Sequence, residues 1–148
     1  MEKINVKFKR LAVGARLPEY QTSGAAAVDL SSASADDIVI PKGEIRSVPT
    51  GLAIEIPEGV VAVVSARSGL AFRNGISLAN GIGVIDSDYR GEIRIGLLNA
   101  GGCDFTVHSG DRIAQMMFLP VLAAEIEAAD ELSETERGEG GFGSTGIK

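Results

Sequence analysis

The chain has one cysteine, one histidine and no tryptophan in 148 residues. Cys103 has no second thiol to pair with, so an intrachain disulfide is excluded, and with His108 it cannot supply the usual thiolate and imidazole ligands of zinc. Positive charge is also scarce: 14 Lys and Arg stand against 20 Asp and Glu, a formal charge of −6. A chain that grips nucleic acid through its phosphates needs the opposite balance, so no nucleic-acid partner is expected. Long apolar runs are missing too, and the opening MEKINVKFKRL moves directly into alternation. Neither a signal peptide nor a membrane span is indicated, no membrane partner is expected, and a cytoplasmic location is the default.

What the chain does have is period two. Ile4, Val6 and Phe8 alternate with Asn5, Lys7 and Lys9, as in a strand with one buried face. Short branched runs follow at 38–40, 52–56, 60–65, 82–85, 93–98, 105–107 and 113–119. They are separated by turn signals at Pro41-Lys42-Gly43, Pro57-Glu58-Gly59, Asn99 to Gly102 and Ser109-Gly110-Asp111. Short strands at this spacing predict an all-β sandwich, jelly roll or barrel. One brief helical turn is predicted from Ser68 to Asn74, closed by Gly75. One body is expected over 1–129, followed by a polar linker and a glycine-rich arm over 130–148. Extended at roughly 3.3 Å per residue, linker and arm reach about 60 Å, enough to cross onto a neighbouring subunit.

Five segments combine residue types suited to an anionic, ring-bearing ligand. The arm, RGEGGFGSTGIK, has glycines that permit close backbone approach. Around them are a cation, Arg137, an aromatic, Phe142, and hydroxyls, Ser144 and Thr145, beside Gly143. In GVIDSDYRGE, Gly83, Val84 and Ile85 run into Asp86, Asp88 and Tyr89, predicting a β-hairpin with its turn near Asp86 to Tyr89. Asp86 follows apolar residues whose burial suits a carboxylate acting as general base, while Asp88 reads as a solvated turn residue. Arg67, Ser68 and Gly69 follow a strand where the helical turn begins, an anion cradle. In GDRIAQ, Asp111 and Arg112 open a strand from which Gln115 can donate. Asp29, in AAAVDL, is either a turn acid or a distant, water-mediated partner for magnesium.

Taken together, in this order, Ala25 to Leu30, Ala66 to Ala71, Asn80 to Glu92, Gly110 to Gln115 and Arg137 to Gly146 resemble the five motifs of the trimeric deoxyuridine triphosphate nucleotidohydrolases, the dUTPases. The resemblance covers nearly the whole chain and is weakest at Ala27 and Val28. It implies a jelly-roll-like distorted β-barrel with one short helix and a flexible arm, assembled as a homotrimer with shared active sites. The implied reaction is hydrolysis of dUTP to dUMP and pyrophosphate with Mg2+. Asp86 is then the base that activates water, Tyr89 lies under the deoxyribose, and Asn80 with the backbone of Gly83 to Asp86 reads uracil. Arg94 is a further pocket residue. Arg67, Ser68, Gly69, Gln115, Arg137, Ser144 and Thr145 hold phosphates, Phe142 stacks on the base, and Asp29 meets magnesium through water. A deoxycytidine triphosphate deaminase and a non-catalytic nucleotide-binding module are the rival readings. His108 and Cys103 are expected to be a surface turn residue and a small buried residue.

Overall fold

The computed structural model describes residues 3–141. Ten strands and, among the described residues, one helix follow one another as β1 (Lys7–Arg10), β2 (Val28–Ser31), β3 (Ile38–Ile40), β4 (Ile45–Glu55), β5 (Val60–Ser65), α1 (Ser68–Asn74), β6 (Ile76–Leu78), β7 (Gly83–Ile85), β8 (Glu92–Asn99), β9 (Phe105–Val107) and β10 (Arg112–Pro120). All pairings are antiparallel. One sheet has the order β1-β4-β8-β6, a second β2-β10-β5-β7, and β3 pairs with β9 alone. This is the all-β, jelly-roll-like architecture expected, and the alternating pattern explains it. Along β8, Ile93, Ile95, Leu97 and Asn99 are buried while the residues between them face outward. Leu30, Leu52, Ile54, Ile76, Ile113 and Met116 join Ile93, Ile95 and Leu97 in a single core, and truncating Leu97 to alanine costs about 2 to 5 kcal/mol.

The helix runs over the expected residues. Gly75, at φ 71°, closes it in the left-handed conformation, with its N–H bonded to Ala71 O. Four strands differ from the sequence reading, the first being β1, which begins at Lys7 and leaves Ile4 43% exposed. β4 starts at Ile45 rather than Leu52, because a register shift between Pro49 and Ala53 accommodates residues that break a regular ladder. Gly51 takes φ 64° there, and the Thr50 hydroxyl donates to Ile93 O at 2.6 Å and accepts from Leu52 N. β2 and β6 are too short to show a period, and each is an edge strand set by pairing with one neighbour, β10 and β8 respectively.

Three further expectations are corrected. β7 and β8 do not form a hairpin: β7 pairs with β5 in one sheet, whereas β8 lies between β4 and β6 in the other. The Asp86–Tyr89 turn is therefore a crossing between sheets. Val84, expected to be buried, is 60% exposed, because β7 is an edge strand with a neighbour on one side only. Cys103 is exposed as well. The buried residue of that corner is Asn99, whose amide donates to Ile40 O and Cys103 O while its carbonyl accepts from Gly101 N. After β10 the chain runs through exposed, irregular backbone to Glu139.

Candidate functional site

The separation of β7 from β8 opens a cavity of about 310 Å³ between the sheets. Its walls include Asn80, Gly83, Val84, Ile85, Asp86, Tyr89 and Arg94, with Val64, Leu78, Ile93, Ile95 and Gly96 as the apolar floor. Every residue of the Asn80 to Arg94 stretch assigned to a nucleoside thus borders one space. Gly83 backs onto β5 so closely that a Cβ there would lie 3.2 Å from Val64 Cβ, which makes this wall tight.

The crossing is held mostly by its own polar groups. Tyr89 N–H donates to Asp86 O at 3.2 Å, closing the turn. Arg90 Nη1 donates to Ser87 O at 2.7 Å and to Tyr89 O at 2.9 Å, and the Tyr89 hydroxyl donates to Glu92 O at 2.9 Å. Asp86 is exposed at the rim, not partly buried as expected, since the turn leaves the edge strand on its open side. Glu92 ties this loop to the sheet: Oε1 accepts from Gly51 N and Oε2 from Arg94 Nη1, both at 3.0 Å. Arg94 also donates from Nε to Ser47 Oγ at 3.1 Å.

A second cluster forms on the β2-β10-β5 face. Asp29, Gln115 and Ser65 stand in one row across the three strands. The Asp29 side chain is 12% exposed, and its Oδ1 accepts from Arg67 Nε at 3.0 Å while Oδ2 accepts from Arg112 Nη1 at 2.9 Å. Arg67 Nη1 is also bound, to Arg112 O at 3.1 Å, so that guanidinium is fixed from two sides. Gln115 Nε2 donates to Ser65 Oγ and Ala66 O. Ser68 and Gly69 open α1 directly after Arg67. Beyond this cluster a cavity of about 640 Å³ is bordered by Asp29, Arg112, Arg10 and Arg16.

Asp111 accepts from His108 N at 2.8 Å and caps the turn, leaving Arg112 for Asp29. Arg137 lines neither cavity and donates to Gly140 O within its own segment. Phe142, Gly143, Ser144 and Thr145 lie outside the described residues. The sequence reading assigned no role to Glu92, Arg112 or Gly91. The only signal for the first two was a charged residue opening a strand, and for the third a glycine beside an aromatic.

A sequence profile of the dUTPase family matches residues 14–146. The chain belongs to the dUTPase family. A deoxyuridine 5'-triphosphate nucleotidohydrolase of Desulfitobacterium hafniense is 54% identical over 146 residues, covering 98% of this chain and 97% of that one. A protein of the same name from Maricaulis maris is 51% identical over the full length of both. Among solved structures, the dUTPase of Staphylococcus bacteriophage 80alpha with dUPNHPP superposes with a TM-score of 0.90 at 27% identity, covering 98% of this chain and all of that one. The family match spans the 310 Å³ cavity and the Asp29 cluster alike.

Proposed function

We propose that the protein hydrolyses dUTP to dUMP and pyrophosphate, keeping uracil out of DNA and supplying dUMP for thymidylate synthesis. The observation that carries this reading is the single cavity that gathers Asn80, the Gly83–Asp86 backbone and Tyr89, with a carboxylate at its rim. Uracil enters the cleft between β7 and β8 and pairs with Asn80 and the exposed edge of the β7 backbone. In this reading the tight turn around the base leaves no room for a thymine methyl. Tyr89 packs under the deoxyribose and leaves no space for a 2′-hydroxyl. Asp86 orients a water and takes its proton as the oxygen attacks the α-phosphorus in line. The bond from that phosphorus to the α,β-bridging oxygen breaks, and pyrophosphate leaves with the electron pair.

Arg67, Ser68, Gly69 and Gln115 hold the phosphates in this reading. Arg137, Ser144, Thr145 and the Gly143 backbone close over them, and Phe142 stacks on the base. Among the described residues no group of three or more His, Cys, Asp and Glu could cage a metal. Asp29 keeps free lone pairs, because each of its oxygens accepts one arginine N–H. This donor set fits Mg2+ carried mainly by phosphates and water, with Asp29 acting through a water. Magnesium supplies charge neutralisation on the triphosphate when bound. A homotrimer with shared sites is supported by the strand-free segment after β10, where Leu122, Ile126 and Leu132 are about nine-tenths exposed and call for a covering surface. No helix among the described residues is long and apolar enough to cross a membrane, in keeping with a cytoplasmic enzyme.

Pyrophosphate release with magnesium, measured in parallel on dUTP, dCTP, dTTP and UTP, tests the proposal. Release from dUTP alone is expected. Release from dCTP, or from none of the four while dUTP still binds, overturns it in favour of a pocket that accepts cytosine or a non-catalytic nucleotide module.

A further inference from the structure

Gly91 follows the Tyr89-Arg90 turn and precedes β8, and its missing side chain is filled by a neighbour. A Cβ built there lies 2.6 Å from Tyr89 Cζ and 2.9 Å from Cε2, with the Tyr89 hydroxyl closer still. These separations are well inside van der Waals contact, so the ring and a side chain at position 91 cannot share the space. The backbone does not require glycine: Gly91 is not among the residues at positive φ, so an alanine meets no conformational penalty of the left-handed kind. Unlike the crowded Gly101, whose added Cβ would meet the Asn74 backbone oxygen, Gly91 is crowded by an aromatic ring that is 44% exposed at residue level and free to be displaced.

We infer that Gly91 is a positioning residue for substrate selection, whose bare Cα seats the Tyr89 ring against the cavity and thereby sets discrimination against ribonucleotides. This rests on the reading of Tyr89 as the residue beneath the sugar. The ring is held from two sides. Its hydroxyl is anchored to Glu92 O at 2.9 Å, and its edge lies over the Gly91 Cα. An alanine at 91 pushes the hydroxyl end of the ring off that anchor. The rest of the turn, closed by Arg90 on Ser87 O and Tyr89 O, keeps its backbone bonds. Asp86 and the base-reading edge stay in place. The consequence is selective: a 2′-hydroxyl gains room while the chemistry at the α-phosphorus retains its base.

The test is kcat/KM for dUTP and for UTP in the full-length wild type, Gly91→Ala, Tyr89→Ala and the double variant. Gly91→Ala is expected to lower the dUTP/UTP ratio by about tenfold, part of the roughly 10²-fold by which an apolar pocket rejects an added hydroxyl. Tyr89→Ala should lower it at least as far. The double variant should match Tyr89→Ala, because without the ring the alanine meets nothing. A ratio kept by Gly91→Ala but lost by Tyr89→Ala overturns the role of Gly91 and leaves that of Tyr89 standing. A ratio kept by both overturns the placement of Tyr89 and the inference with it. Equal losses on both nucleotides in Gly91→Ala also overturn it, as they mark general damage. If Gly91→Ala fails to fold by circular dichroism, a folded double variant supports the ring clash, and an unfolded one refutes it.

Discussion

The loop from Asp86 to Arg94 and the cluster around Asp29 face the two ends of the proposed nucleotide, and they are built differently. Most of the loop's polar contacts span one to three residues: Tyr89 to Glu92, Arg90 to Ser87, Arg94 to Glu92. The Asp29 contacts join residues separated by 38, 45 and 83 positions and exist only once β2, β5 and β10 have aligned. The exceptions in the loop lie at its end, where Glu92 reaches Gly51 across 41 residues, Ile93 O accepts from Thr50 across 43 and Arg94 reaches Ser47 across 47, attaching a self-supporting turn to the sheet. A local turn can therefore be altered for chemistry or selectivity with the fold intact. In the long-range cluster, stability and the proposed phosphate binding are coupled.

Asp86→Asn should separate the two regions most sharply. It removes the proposed base from an exposed rim, so turnover of dUTP is expected to fall by about 10² to 10⁴-fold, with nucleotide affinity and thermal midpoint close to wild type. Full turnover in this variant removes Asp86 from the mechanism. Asp29→Ala should give the opposite signature. It leaves the two arginines without their shared acceptor; Asp29 is 12% exposed but Arg67 and Arg112 are 26% and 46% exposed, so the cost is about 1 to 3 kcal/mol, read as a lower denaturation midpoint. Weaker binding of dUTP and a higher magnesium requirement should accompany it. A stable Asp29→Ala variant with an unchanged KM would mean that the cluster is not the coupled unit its connectivity suggests.

The smallest effect is expected at the exposed turn that leads into β10. His108 Nδ1 lies 2.8 Å from Asp37 Oδ1, and the hydrogen bond and charge of Asp37 raise the imidazole above its ordinary 6.5. A raised folded value means the pair's contribution is fully present below the unfolded value and is lost as pH rises through the folded one. The pair is solvent-exposed, so that contribution is minor. His108→Asn should flatten the thermal midpoint slightly between weakly acidic and alkaline pH while leaving kcat for dUTP unaltered at fixed pH. A change in kcat would tie this corner to the site.

Legibility in the sequence followed the range of the interactions. The strands at 38–40, 60–65 and 105–107 and the helix at 68–74 matched residue for residue, because branched runs, turn residues and a glycine cap act within a few positions. The hairpin expectation failed for the converse reason: β7 and β8 are neighbours in sequence, yet β8 gains more burial between β4 and β6 than at an edge. Of the candidate site, the loop was readable as a group. Arg112 was not, since its acceptor lies 83 residues away and a GDR triplet suggests a local pair. The exposure of Cys103 and the burial of Asn99 were hidden because an amide can be satisfied only by the backbone that happens to surround it.

The sequence by itself determined the class of fold, the order of the elements and the set of chemical groups available, since period two, turn chemistry and motif order are properties of neighbouring residues. Tertiary structure alone decided that the Asp86–Tyr89 turn crosses between sheets and opens a cavity. It also decided that one carboxylate holds two arginines and that Gly91 gives its space to Tyr89. These depend on which surfaces exclude water from each other, and that is settled only when distant strands pack together.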